Sequence, residues 1–173
     1  MSTLGDRLKN NEIILLDGGV STEIQQRGVT LDDDVWSGIA HRIHPEIVRQ
    51  VHEDYIRAGA DVIITNTFAT ARHVLEPAGM GDQVRELNLR AVRLAQQARE
   101  SSADGRLVSI AGSITTFPHP TSIALEKGNT LTHKQARANY REQAELLAEG
   151  GVDLLAMEMQ VGQEEQVDRG RVF

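Results

Sequence analysis

Ala58-Gly59-Ala60-Asp61-Val62-Ile63-Ile64-Thr65-Asn66-Thr67-Phe68 is the stretch whose reading decides the fold. A helix-patterned segment runs out, glycine turns the chain, and an aspartate precedes three branched aliphatics that end in small polar residues. The same grammar returns at Glu149-Gly150-Gly151-Val152-Asp153-Leu154-Leu155-Ala156-Met157-Glu158. Two more apolar runs have polar or glycine-rich ends: Ile13-Ile14-Leu15-Leu16 before Asp17-Gly18-Gly19, and Leu107-Val108-Ser109-Ile110-Ala111 before Gly112-Ser113. Short, nearly unbroken aliphatic runs suit strands buried on both faces, the habit of a parallel sheet.

Helical patterns lie between the runs. Residues 45–58 carry Ile47, Val48, Val51, Tyr55 and Ile56 at spacings of three and four, with Pro45 in the first turn and Gly59 as the stop. Residues 82–99 repeat the pattern with Val84, Leu87, Ala91, Leu94, Ala95 and Ala98, and residues 132–149 with Ala136, Tyr140, Ala144, Leu147 and Ala148. Thr132 reads as the cap of the last helix and Gly150-Gly151 as its stop. A short helix follows Ser21 and ends at Gly28, and Gln163-Glu164-Glu165-Gln166-Val167 reads as the start of a further one. Strand and helix therefore alternate, which predicts an α/β fold with about four parallel strands and right-handed crossovers. A small open sheet and part of a (β/α)8 barrel both fit. An eight-unit barrel needs roughly 250 residues, and four units here occupy about 160, so periodicity alone favours the open sheet.

Composition narrows the function. Among 173 residues, Lys plus Arg is 18 against 25 Asp plus Glu, a net charge of −7. That balance argues against nucleic acid or an anionic membrane as partner. No apolar run reaches the roughly 20 residues of a membrane span, and the N-terminus lacks a signal-peptide core, so a cytoplasmic setting is expected. There is no cysteine, which excludes disulfides, a thiolate nucleophile and any thiolate metal site built from this chain alone.

Asp17, Asn66 with Thr67, Ser113 with Thr115, and Glu158 all fall at the C-terminal ends of predicted strands. In a parallel sheet those ends share one face, where α/β proteins place their sites. Asp17 and Glu158 would then converge beside the Gly18-Gly19 backbone. Such a mouth suits a small ligand whose ammonium meets carboxylates while its carboxylate meets backbone N–H groups. The competing reading has Asp17 capping a turn and Glu158 in water. Asp17-Gly18-Gly19 lacks both phosphate-loop patterns. The histidines, His41, His44, His52, His73, His119 and His133, show no zinc spacing and are expected at the surface or as caps. Asp32-Asp33-Asp34 reads as a solvated turn. Trp36, the one tryptophan, lies in the long connection after the first strand. It reads as a plug packing that loop onto the helices or, alternatively, as a ring facing a cationic ligand.

Taken in order, several segments resemble the homocysteine S-methyltransferase family. Leu15-Leu16-Asp17-Gly18-Gly19-Val20-Ser21-Thr22-Glu23 is similar to its opening strand and D-G-(G/A)-x-x-T-E turn. Trp36-Ser37, His44-Pro45 and the unbroken stretch from Val51-His52-Glu53-Asp54-Tyr55 to Thr67-Phe68 resemble its next helix and strand. Ala111-Gly112-Ser113-Ile114 and the block from Tyr140 to Glu158 resemble its third and fourth units. The resemblance implies a (β/α)8 barrel with this chain as its first half, in place of the open sheet: one domain over residues 1–173 with a divergent tail at 161–173. It implies transfer of a methyl group from S-methylmethionine, betaine or a folate to homocysteine, giving methionine. It implies that Asp17, Gly18 and Gly19 bind the amino-acid portion, that Thr67 and Asn66 line the pocket, that Glu158 pairs with the ammonium, and that Trp36 faces an onium donor.

It also implies a zinc ion that lowers the pKa of the substrate thiol. The family's zinc cysteines, including a C-terminal Gly-Gly-Cys-Cys, belong to the second half of the barrel, and none is present here. The departures point to a truncated, frameshifted or split gene. Two readings stand side by side: the substrate-binding half of a methyltransferase whose thiolate ligands come from a second chain completing the barrel, and a non-catalytic half-barrel relic or interaction module, which self-associates or binds a missing half, or a small amino-acid-binding module.

Overall fold

The computed structural model describes residues 3–115 and 132–159. The later part of the connection after Ser113, His119, the helix expected from Gln163 and the tail at 161–173 lie outside the described residues. The elements run α1 (Leu4–Lys9), α2 (Val20–Gln26), α3 (Ala40–Ile43), α4 (Pro45–Arg57), β1 (Val62–Ile64), α5 (Arg72–Leu75), a 3-10 turn (Gly81–Gln83), α6 (Val84–Ser102), β2 (Ser109–Thr115), α7 (His133–Gly150) and β3 (Leu154–Glu158). The three strands form one parallel sheet in the order β1-β2-β3, with Ile63 beside Ile110 and Thr115 beside Glu158. Among the described residues no helix is long and apolar enough to cross a membrane.

The grammar of the two Gly–Asp segments is repeated in space. Asp61 accepts the Leu15 N–H at 3.0 Å and an Arg7 Nη1 at 2.7 Å. Asp153 accepts the Ile110 N–H at 2.7 Å and the Arg99 Nη1 at 2.8 Å. Each aspartate, at the foot of one strand, grips the backbone of the strand before it. The grip sets register where ladder bonds begin, and an arginine beside each carboxylate strengthens it.

The first predicted strand differs from expectation. Residues 13–16 make no ladder of their own but meet β1 through a single parallel bridge, Leu16 to Val62. The Leu15 carbonyl accepts from Asp61 and Val62, and the Asp17 N–H donates to Val62 at 2.9 Å. Ile13, Leu15 and Leu16 are 82%, 53% and 60% exposed, where burial on both faces was expected. The segment pairs along one side only, so nothing among the described residues covers its other side.

Helices cover one face of the sheet. Ile56, Ala60, Ile63, Ala95, Ala98, Val108 and Ile110 form the core between α4, α6 and the strands. Val92, Ile114, Tyr140, Ala144 and Leu147 form the core beneath α7. Gly112 belongs to this face. A Cβ there would come within 2.9 Å of Leu147 Cδ1, so glycine lets α7 settle on β2. Alternation along β2 then sends Ser109, Ala111, Ser113 and Thr115 to the opposite face, with Ala156 and Glu158 of β3 beside them. α7 starts at a capping box: Thr132 Oγ1 accepts the Gln135 N–H at 3.3 Å and Gln135 Oε1 accepts the Thr132 N–H at 3.0 Å. It ends at Gly151 in a left-handed conformation (φ 88°). Thr132→Ala should lower stability by about 1 kcal/mol in urea titration; an unchanged midpoint would show that the cap is dispensable.

Candidate functional site

The C-terminal rim of the sheet gathers the polar residues. Asp17 leaves the first extended segment and turns its carboxylate inward, where Oδ2 accepts the Ile64 N–H at 2.8 Å. Its other oxygen, Oδ1, is buried with no hydrogen-bond partner among the described residues. Burial pushes the Asp17 carboxyl up to about 7; the Ile64 N–H works against this, and the negative charge of Glu158 adds to it. Asp17 and Glu158, far apart in sequence, thus sit at one rim, close enough for the Glu158 charge to act on Asp17. Glu158 accepts a hydrogen bond from the Ser113 hydroxyl, its neighbour on β2.

Two buried networks hold this rim. Thr67 Oγ1 donates to the Ser113 carbonyl at 2.8 Å and lies 2.8 Å from Thr65 Oγ1, which in turn accepts the Ser113 N–H at 3.2 Å. The Thr67 carbonyl accepts from Thr70 Oγ1 and from Gln143 Nε2 of α7. The second network begins at Ser21, just past the glycine turn. Ser21 Oγ is 2.6 Å from Ser37 Oγ, which donates to Asn66 Oδ1 at 2.7 Å. Asn66 Nδ2 donates to the Ser37 carbonyl at 2.7 Å and lies 3.4 Å from His41 Nδ1. Asn66 and Thr67 are both buried, and their side chains are engaged within the protein.

Trp36 rides on this second network. Its ring stacks on Phe68 with centroids 6.0 Å apart and planes 13° from parallel. It packs against Val35, Ala69, Val74 and Leu75 as the plug reading expects. Its φ of 50° is unusual for so bulky a residue. The bend is fixed from both sides: Asp32 Oδ1 accepts the Asp34 and Val35 N–H groups, and Gly38 sits where a Cβ would be 2.8 Å from the Val35 carbonyl and 2.9 Å from that of Ala69. Trp36 also lines a cleft of about 500 Å³ with Gln25, Val29, Leu31, Asp32 and Asp33. Neither Asp17 nor Glu158 lines that cleft.

Gly18 and Gly19 are exposed beside Asp17. A Cβ on Gly18 would come within 2.7 Å of Tyr55 Oη, so a larger residue there would have to push that ring aside. The part played by Tyr55 was hidden by its place in an apolar helical pattern. The role of Ser113 was legible in principle, because counting alternate residues along β2 and β3 puts it on the same face as Glu158, one pair away.

The surface expectation for the histidines fails for two of them. His41 and His52 are fully buried, between α3, α4 and α6. Burial drives His41 down to about 3, with Arg90 and His52 adding to the effect, and burial alone drives His52 down to about 4. In an unfolded chain both would protonate near 6.5. Their contribution is therefore present above pH 6.5 and is lost as pH falls toward 4. Asp17 has the opposite sign: its raised value favours folding at low pH, an advantage lost as pH rises through about 7. Asp17→Asn protein, free of that opposing carboxyl, should show a urea midpoint at pH 5 below that at pH 7. A midpoint equal or higher at pH 5 would contradict the burial of the imidazoles.

A profile of the homocysteine S-methyltransferase family matches residues 14–166. The homocysteine S-methyltransferase of Escherichia coli (strain K12) is 33% identical over 158 residues, which are 87% of this chain and 51% of that protein. The selenocysteine methyltransferase of Astragalus bisulcatus is 32% identical over 163 residues, 82% of this chain and 48% of that one. The crystal structure of the homocysteine methyltransferase MmuM from Escherichia coli in its metallated form superposes with a TM-score of 0.72 at 32% identity, covering 87% of this chain and 55% of that chain. The chain spans about half the length of the relatives it matches.

Proposed function

Because the chain belongs to the homocysteine S-methyltransferase family, we propose that it provides the amino-acid-binding part of an enzyme that methylates homocysteine to methionine. The observation that supports this most is the meeting of Asp17 and Glu158 at one rim. In this reading the ligand's ammonium sits between the two carboxylates, and its carboxylate meets the exposed Gly18-Gly19 backbone. Ser113 orients Glu158. Thr67 and Asn66 border the pocket and hold its wall, through Ser113 and Ser37 respectively. The Trp36 ring, with Asp32 and Asp33 beside its cleft, suits a donor carrying positive charge such as S-methylmethionine or betaine, with a folate as the alternative.

Consecutive parallel βα units support a further part of the proposal, that residues 1–173 form one domain equivalent to the first half of a (β/α)8 barrel, with a divergent tail at 161–173. A second copy or a second chain would then complete the barrel. A cytoplasmic setting without nucleic-acid or membrane partners belongs to the same reading, in keeping with the net charge of −7.

Zinc, expected of the family, would bind the substrate thiol and stabilise its thiolate. The residues present do not fit it. The chain has no cysteine, and among the described residues no three His, Asp or Glu side chains converge. What the chain's own residues do is bind and orient the amino acid. A second reading, amino-acid binding without turnover, uses the same rim. Calorimetric titration with L-homocysteine and L-methionine should show saturable binding that the des-amino analogue 4-(methylthio)butanoate lacks. Absence of saturable binding by either amino acid would overturn both readings. Zinc held tightly at one per chain would contradict the mismatch with the metal.

A further inference from the structure

We propose that Asp17 holds a proton when the rim is empty, and that an ammonium entering beside it and Glu158 drives that proton into solvent. The inference rests on the reading of this rim as an ammonium site. A carboxyl in a partly dry setting, with a second negative charge nearby, resists ionisation, burial being the larger cause for Asp17. Asp17 has one oxygen on the Ile64 N–H and the other buried without a partner, so it is the member that holds the proton. Glu158 has the Ser113 hydroxyl to stabilise its charge.

The groups that face Asp17 sharpen the case. β1 presents only a backbone N–H, β3 presents Glu158, and α4 presents Tyr55, whose own ionisation is pushed up by burial and by the charges of Glu23 and Asp17. Arg27 acts on Tyr55 but is tied to Asp54 at 2.9 Å and Glu23 at 3.6 Å. Among the described residues no cation is among the groups that shift Asp17. A ligand ammonium would bring a positive charge to it, and would return it to the ionised form. The balance is simple: the ammonium arrives charged, the Asp17 carboxyl becomes carboxylate, and its proton passes to buffer.

L-methionine is the proper probe because its thioether has no proton to lose. Titrations at pH 7 in buffers of differing ionisation enthalpy give the proton count from the slope of heat against that enthalpy. With the Asp17 carboxyl near 7, about half a proton should leave per methionine bound, and affinity should rise about tenfold from pH 6 to pH 8. Asp17→Asn, which keeps an acceptor for the Ile64 N–H, should abolish the release. Methionine binding with a zero slope, with proton uptake, or with unchanged release in Asp17→Asn would overturn this inference while leaving the ammonium site standing. No binding at all would overturn both.

Discussion

Asn66→Ala should cost the fold about 2 kcal/mol, because it removes two buried hydrogen bonds to Ser37, each worth about 1 kcal/mol net, while Ser21 Oγ and the Ala40 N–H remain as partners of the Ser37 hydroxyl and carbonyl. Asn66 is 4% exposed and bonds both of those groups at 2.7 Å. The damage should also be local in character. Ser37 adjoins Trp36, and Trp36 is the sole tryptophan, so its fluorescence reports this loop alone. Urea unfolding of Asn66→Ala should show a large drop in midpoint, and the native emission should shift to the red as the ring leaves Phe68. Ser37→Ala removes one hydroxyl and keeps the Asn66–carbonyl bond, so it should lose less. Equal stability of wild type and Asn66→Ala would show that the loop is held elsewhere.

Glu158→Gln should weaken amino-acid binding by roughly 1.5–3 kcal/mol, the range of a charge-assisted hydrogen bond, or about 10- to 150-fold in Kd. The substitution keeps size and leaves an oxygen for the Ser113 hydroxyl. It also removes the like charge that helps to raise Asp17, so Asp17 should ionise more readily in the variant. That compensation operates around pH 7 and fades at higher pH, where Asp17 is charged in both proteins. The loss should therefore lie near the lower figure at pH 7 and near the upper one at pH 9. An affinity unchanged at both pH values would remove Glu158 from the site.

The repeated Gly–Asp segments made the parallel sheet legible, because each aspartate has a mechanical task that leaves a residue signature: it closes the foot of its strand onto the one before. Helices α4, α6 and α7 were legible from periodicity, and Thr132 and Gly151 from capping chemistry. The short helices α3 and α5 were not, because one turn has no period to detect and is set by what it packs on. The first aliphatic run looked like an interior strand, since Ile13-Ile14-Leu15-Leu16 records what a segment could bury, not whether a neighbour stands beside it. The converging carboxylates were legible because strand direction alone decides which ends meet. The Ser21–Ser37–Asn66–His41 chain was not. Its members are spread over four elements, and hydroxyls and amides near a loop look alike whether they face solvent or each other. His41 and His52 were misjudged for a related reason, as nothing local distinguishes a histidine destined for the interior.

The central claim is that Asp17 and Glu158 form one receptor for an ammonium group. A crystal structure of the chain with L-methionine tests it most directly. The ammonium nitrogen should lie about 3 Å from a carboxylate oxygen of each residue, as charge-assisted hydrogen bonds require, with the ligand carboxylate against Gly18 and Gly19. Methionine seated away from the rim, or touching it with its ammonium turned from both carboxylates, would contradict the account.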